Sequence, residues 1–333
     1  MNRTQWTLTG LLLFQFLLLL LIAAPWSSGS GASGPMLLLP ALESFTPARI
    51  EISSVDDSLV LDREQDGWRI EQADGYPAEE SMVDQLLDSL GQLQVRRPVV
   101  TSSRYHEALK VTADENERRL RIWESGEDDP RIDLFLGSSP NYGVNHVRVA
   151  GEDNVYEVRG LSPWDMRADM SSWIDKKLVD VAAESVVSLK LRNEHGVIEL
   201  SRGEDGAWTA VPADSAAAIA LDSSKVDSFV RALGSLRFSE PAGRIDGGQG
   251  LGFDSPAAEL EMAYGLDGEA SGVVELVVGG EADPDSGTRY ASRAGSEFGV
   301  ILSKWDADRL VDKKLDDLLV EEPTTEDENA PGS

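Results

Sequence analysis

Short runs of alternating apolar and polar residues set the rhythm of this chain from residue 47 onward. In "RIEIS", Ile50 and Ile52 alternate with charged neighbours; "SLVLD" follows Asp56-Asp57, and "DGWRI" follows a turn at Asp66-Gly67. Period-two alternation punctuated by turn residues predicts a three-stranded antiparallel meander. The pattern returns from Val186. Val187, Leu189 and Leu191 alternate in "VVSLKL", "VIEL" follows His195-Gly196, and "DGAWTAV" follows Asp205-Gly206. Trp68 and Trp208 take the same place in the two meanders.

The period then changes. "MVDQLLDSLGQLQVRRP" (Met82–Pro98) aligns without a gap on "KVDSFVRALGSLRFSEP" (Lys225–Pro241). Val83, Leu86, Leu87, Leu90 and Leu93 correspond to Val226, Phe229, Val230, Leu233 and Leu236, with Gly91 against Gly234. Spacings of three and four predict one amphipathic helix in each block. Further on, "IDLFLGSS" pairs with "VELVVGGE", setting Gly137 against Gly279, and "NHVRVAGEDNVYEV" pairs with "TRYASRAGSEFGVI". Each half closes on a Trp-containing stretch expected to be helical and to end in DKKL, at Asp175–Leu178 and at Asp312–Leu315.

These matches predict an α+β fold of two tandem homologous repeats, each a mostly antiparallel sheet with an amphipathic helix. A period of about 140 residues is too long for a solenoid repeat, so two domains are expected rather than an array. Repeat 1 spans 47–181 and repeat 2 spans 182–320; residues 27–46, with "SSGSGASGP", read as a flexible linker. Residues 321–333 read as an acidic disordered tail.

Before the linker, residues 1–26 carry an apolar run from Leu11 to Ala24, interrupted only by Gln15 and bracketed by Trp6 and Trp26. About 20 residues of helix span the ~30 Å hydrocarbon layer, and tryptophans favour its two interfaces. An N-terminal transmembrane helix is therefore expected. Arg3 would stay cytoplasmic and the bulk of the chain would be periplasmic, on a bacterial inner membrane. A signal peptide cleaved near Ser30 or Ala32 is the alternative.

Charge narrows the list of partners. The formal net charge is −29, from 59 acidic and 30 basic residues. Such a surface repels phosphate backbones, so no nucleic-acid partner is expected. With no cysteine in the chain, disulfides, thiolate catalysis and cysteine-ligated metals are excluded.

Candidate chemistry is sparse. His106, His146 and His195 are the only histidines, and none has a metal-ligand spacing. No nucleophile elbow accompanies the serines. "DGGQGLGFDSP" (Asp246–Pro256) lacks the lysine of a phosphate loop and reads as a flexible connector. "EADPDSGTRY" (Glu281–Tyr290) and "ESGEDDPRID" (Glu124–Asp133) lack the full calcium-loop pattern and read as solvated loops. Trp68, Trp164, Trp173, Trp208 and Trp305 mostly recur at matched places and are expected to pack in the core. The paired lysines of the DKKL stretches, Lys176-Lys177 and Lys313-Lys314, are the sharper candidates for a spot that faces a partner. No residue is assigned a catalytic, cofactor-binding or metal-binding role.

The stretches Asp66–Val99, Ile132–Val158, "WIDKKLVDV" (Trp173–Val181) and "GLGFDSPAAELEM" (Gly250–Met262) resemble domain-of-unknown-function family 4340 (DUF4340). The likeness touches most of residues 47–319. It departs from the family's usual Tyr-Val-Arg strand, where this chain has "HVRV" and "YASR". The resemblance implies an envelope protein with an N-terminal membrane segment and one or more α+β repeats, often an accessory of gliding-type ABC transport systems. It brings no catalytic residues. The expected function is thus a non-enzymatic, membrane-anchored periplasmic accessory or scaffold protein. Its partners would be membrane proteins such as ABC transporter subunits. The alternative is a periplasmic protein that binds a small molecule or glycan between the two repeats.

Overall fold

The computed structural model describes residues 34–210, 219–245, 250–266 and 269–321. The apolar run Leu11–Ala24, the Ser30/Ala32 region and the tail beyond Glu321 lie outside the described residues. No helix among the described residues is long and apolar enough to cross a membrane.

Folded structure begins earlier than the sequence pattern suggests. Strand β1 (Met36–Leu37) and a 3-10 turn at Pro40–Ser44 occupy residues read as linker, and Leu39 is buried. The meander follows as β2 (Pro47–Ser53), β3 (Ser58–Glu64), β4 (Gly67–Ile70) and the short β5 (Tyr76–Pro77). Helix α1 (Glu80–Gly91) leads into β6 (Gln94–Val95), and four strands complete the half: β7 (Arg118–Glu124), β8 (Ile132–Leu136), β9 (Val144–Val149) and β10 (Tyr156–Arg159). The resulting eight-stranded sheet has the order β10-β9-β8-β7-β2-β3-β4-β5, and every pairing is antiparallel.

The second half has β11 (Val186–Asn193), β12 (Gly196–Arg202), β13 (Trp208–Ala210), α2 (Ser223–Gly234) and β14 (Glu240–Arg244). Then come β15 (Ala258–Leu266), β16 (Glu269–Asp283), β17 (Thr288–Arg293), β18 (Phe298–Leu302) and helix α3 (Lys304–Val311). This sheet has the order β13-β12-β11-β15-β16-β17-β18-β14 and is also antiparallel throughout. The fold is therefore α+β, with mostly antiparallel sheets and three α-helices among the described residues. Pro241 sits on an edge strand next to a bulge, where its missing N–H costs no ladder bond.

Alternation puts the two faces of each sheet to different use. Ile50, Ile52, Leu120, Ile122, Leu134 and Leu136 turn inward and are buried, as are Val83, Leu86 and Leu90 from α1. The outward neighbours form cross-strand ion pairs: Arg121 with Glu51, Arg119 with Asp133 at 2.7 Å, and Arg49 with Asp62 at 2.9 Å. In the second half Lys190 pairs with Glu199 at 2.6 Å and Arg192 with Glu259 at 2.8 Å. Val226, Phe229, Val230, Leu233 and Leu236 are all buried, as their helical spacing predicts.

The halves share one continuous apolar core. Their contact is built by Lys176–Val181, which crosses into the second half. Leu178 and Val179 donate to Leu236 O at 2.9 and 3.1 Å, and Phe238 donates to Lys176 O at 3.0 Å. On the same junction the Tyr76 ring meets Phe238 and Phe298 edge-on, with centroids 5.8 and 5.1 Å away. Arg244 donates to Asp74 O at 3.3 Å and stacks over Phe298.

The two DKKL stretches do not occupy equivalent places. In the first half Glu79 N donates to Trp173 O, and in the second Asp222 N donates to Leu318 O, each just ahead of a helix. Trp173 and Leu318 each end a 3-10 turn, Met170–Trp173 and Leu315–Leu318. Asp175–Leu178 therefore follows its turn, while Asp312–Leu315 leads into the other. Three of the four letters are charged residues that fit many surroundings, so their recurrence reports no common position. The closing stretches also differ in form. Ser303–Val311 caps and forms α3, whereas residues 163–166 make only a turn, because Arg118 and the Trp173 indole take the Met166 and Arg167 carbonyls that a helix would use.

Candidate functional site

Three places in the structure gather chemistry-bearing or unusually exposed side chains. The first is the pair Trp164 and Trp305. Both were expected in the core, yet they are 77% and 70% exposed, while Trp68, Trp173 and Trp208 are buried as expected. Each exposed ring carries a guanidinium, Arg167 at 5.6 Å and Arg309 at 5.2 Å. Each follows a matching cap: Ser162 Oγ donates to Asp165 at 2.6 Å and Ser303 Oγ donates to Asp306 at 2.7 Å. Ring and cap are thus presented alike in both halves. Beside Trp164 a cleft of about 200 Å³ is lined by Met82, Gln85, Leu86, Arg167 and Trp173.

The second place lies where the β11–β12 turn meets the end of α3. The side-chain ligand atoms of Glu194, His195 and Asp312 all lie within 4.8 Å of one another, and all three residues are exposed. His195 sits in the hairpin turn that the sequence predicts. Its proximity to Asp312 is invisible in the sequence, because the turn and α3 lie at opposite ends of the second half. Glu194 and Asp312 also line a groove of about 510 Å³ with Arg192, Pro256 and Arg289.

The third place surrounds the other two histidines, which are buried and structural. His106 bonds Asp153 O at 3.0 Å and His146 bonds Ser138 Oγ at 3.1 Å. Phe135 packs with Val111 and Val155, with Arg119 and Arg148 over its ring. Arg148 is buried and donates to the carbonyls of Val111 and Glu152, so it ties the 102–117 loop to β9. Burial pushes its affinity for the proton down, against the pull of Asp133 and Asp153.

The remaining motifs are used structurally. Residues 250–256 of the glycine-rich stretch are docked rather than flexible: Leu251 is buried and Gly280 N donates to its carbonyl at 2.8 Å. Residues 246–249 lie outside the described residues. In the acidic loops Glu281 faces Arg289, Glu124 faces Arg131, and Asp133 is taken by Arg119. Asp283 accepts from the backbone of Asp285 and Gly287 within its own turn. Of the DKKL lysines, Lys177 pairs with Asp180 at 2.9 Å, and Lys313 lies over Phe229 with Asp317 at 3.9 Å.

These features define an α+β protein with two eight-stranded sheets, whose inner faces share a core and whose outer faces carry ion pairs. The sequence profile of a domain of unknown function (DUF4340) matches residues 68–247, more than half of the chain, and the chain belongs to this family. The match begins at Trp68 in the first meander and runs across the junction to three residues past β14. No curated protein and no solved structure matches the chain.

Proposed function

We propose that this chain is a membrane-anchored periplasmic accessory protein without catalytic activity of its own, which docks on a membrane-embedded partner. The observation that carries the reading is the pair Trp164 and Trp305, both solvent-exposed and each stacked with an arginine. Tryptophan and arginine are the residues most enriched among the energetic centres of protein contacts. Neither ring is packed by its own half, so both are free to be covered by a partner.

The anchor is the segment Leu11–Ala24, and it determines where the body works. Roughly ten residues separate Trp26 from Met36, a tether of at most about 35 Å. That length keeps the body beside the bilayer and raises its effective concentration at a partner in the same membrane. An ABC-type transport system is the partner class that the family resemblance implies.

We infer further that the two halves descend from one unit repeated in tandem. The like order of connection in the two sheets supports this, together with three recurrent details. Arg63 stacks on Trp68 as Arg202 does on Trp208. Ser138 N meets Leu109 O as Gly280 N meets Leu251 O. Met36–Leu38 lies on β6 as Lys177–Val179 lies on Leu236–Arg237.

The test is gentle detergent extraction of the full-length protein with crosslinking and mass spectrometry, beside a form that starts at Gly34 and so keeps β1. Specific recovery of transporter subunits, weaker without the tether, is the expected result. A solitary protein in both preparations contradicts the proposal.

A further inference from the structure

Asp312 closes α3, where unpaired carbonyls leave the negative end of the helix dipole. A carboxylate is unfavourable there, and Glu194 brings a second one to the same spot. The side chains of the cluster do not hold it together by attraction. Asn193 does so: its Nδ2 donates to Leu310 O and to Lys313 O, both at 2.8 Å, and its Oδ1 accepts from His195 N at 2.9 Å. Asn193 and Leu310 are 117 residues apart in the chain, so this clamp fixes the turn on the helix end.

Among the described residues, no lysine or arginine forms an ion pair with Glu194 or Asp312. Several basic side chains nearby have carboxylate partners of their own: Arg192 with Glu259, Arg289 with Glu281, Lys304 with Asp308, Arg309 with Asp306 and Lys313 with Asp317. Meanwhile His195 Nε2 stands 3.5 Å from Glu194 Oε1. Two ligands of a tetrahedral ion with ~2.0–2.1 Å bonds are separated by about 3.3 Å, so this pair already has ligand spacing. Asp312, within 4.8 Å of both, closes the set by a side-chain adjustment of at most about 1.5 Å.

We propose that Glu194, His195 and Asp312 form a binding site for one zinc ion, which pins the β11–β12 turn to the end of α3. One imidazole and two carboxylates suit a borderline ion, whereas calcium and magnesium take oxygen ligands. The ion adds positive charge beside two carboxylates and the negative end of a helix. The site is independent of the tryptophan pair and of the accessory reading.

Isothermal calorimetry of the full-length protein with zinc tests this, in the wild type and in H195A, D312N and E127Q. The expected result is one zinc per chain in the wild type and in E127Q, an acidic-loop control. H195A and D312N should bind at least tenfold more weakly, while melting in zinc-free buffer no lower than the wild type. Calcium should give no saturable heat at this site. Equal zinc affinity in the wild type and H195A overturns the proposal, as does a wild type that binds no zinc.

Discussion

Leu178 of the first half donates its backbone N–H to the Leu236 carbonyl of the second at 2.9 Å, beneath a core that runs through both halves without a break. Two domains joined in this way lose buried apolar surface together when either opens. Scanning calorimetry should therefore give one unfolding transition. F238A, which removes the ring facing Tyr76, should lower the whole transition rather than split it. Two resolved transitions in the wild type would show that the halves are independent.

Gly137 and Gly279 correspond in sequence, and the structure gives both the same reason. A Cβ at either would run into a backbone carbonyl, Leu109 O at one and Leu251 O at the other. Backbone cannot swing aside as a flexible side chain can, so G137A and G279A should each destabilise by about 1–3 kcal/mol. G250A, where nothing lies within 4 Å, is the neutral control. Urea denaturation midpoints read the difference.

Tyr76 makes the junction sensitive to high pH. Burial, with a smaller push from Asp175, raises its phenol from the ordinary 10.0 to about 12. The folded state thus holds this proton more tightly than the unfolded chain. The associated stability is intact below pH 10 and is lost as pH rises from about 10 to about 12. Y76F should remove that portion of the alkaline loss. If the wild type and Y76F lose stability in parallel between pH 9.5 and 11.5, this assignment is wrong.

The tryptophans should separate cleanly into two groups. Trp173 is 1% exposed and its indole donates to Arg167 O at 2.9 Å, so W173A should cost about 3–5 kcal/mol. W164A and W305A should change stability by no more than about 0.5 kcal/mol, because their rings stand in solvent. Thermal melts of the three variants make the comparison.

The meanders and the two amphipathic helices were legible because their periods of two and 3.6 are enforced by burial. Ile50, Ile52, Val83, Leu90, Val226 and Leu233 all face the core that these periods imply. Exposure of Trp164 and Trp305 was not legible, since an apolar letter does not say whether its neighbours cover it. The DKKL repetition misled for the opposite reason: charged surface residues recur without a shared place in the fold. Met36–Leu39 was hidden by its nearness to the glycine- and serine-rich stretch, although four consecutive apolar residues carried a signal. The Glu194–His195–Asp312 grouping depends on a contact between distant segments that no local pattern records.

The most direct measurement on the accessory reading is photocrosslinking in living cells, with a photoreactive amino acid placed at 164, at 305, or at the fully exposed Tyr142. The account predicts a discrete adduct with a membrane-protein partner from 164 or 305 and none from 142. Absence of an adduct at both tryptophan positions, or equal labelling from 142, would contradict it.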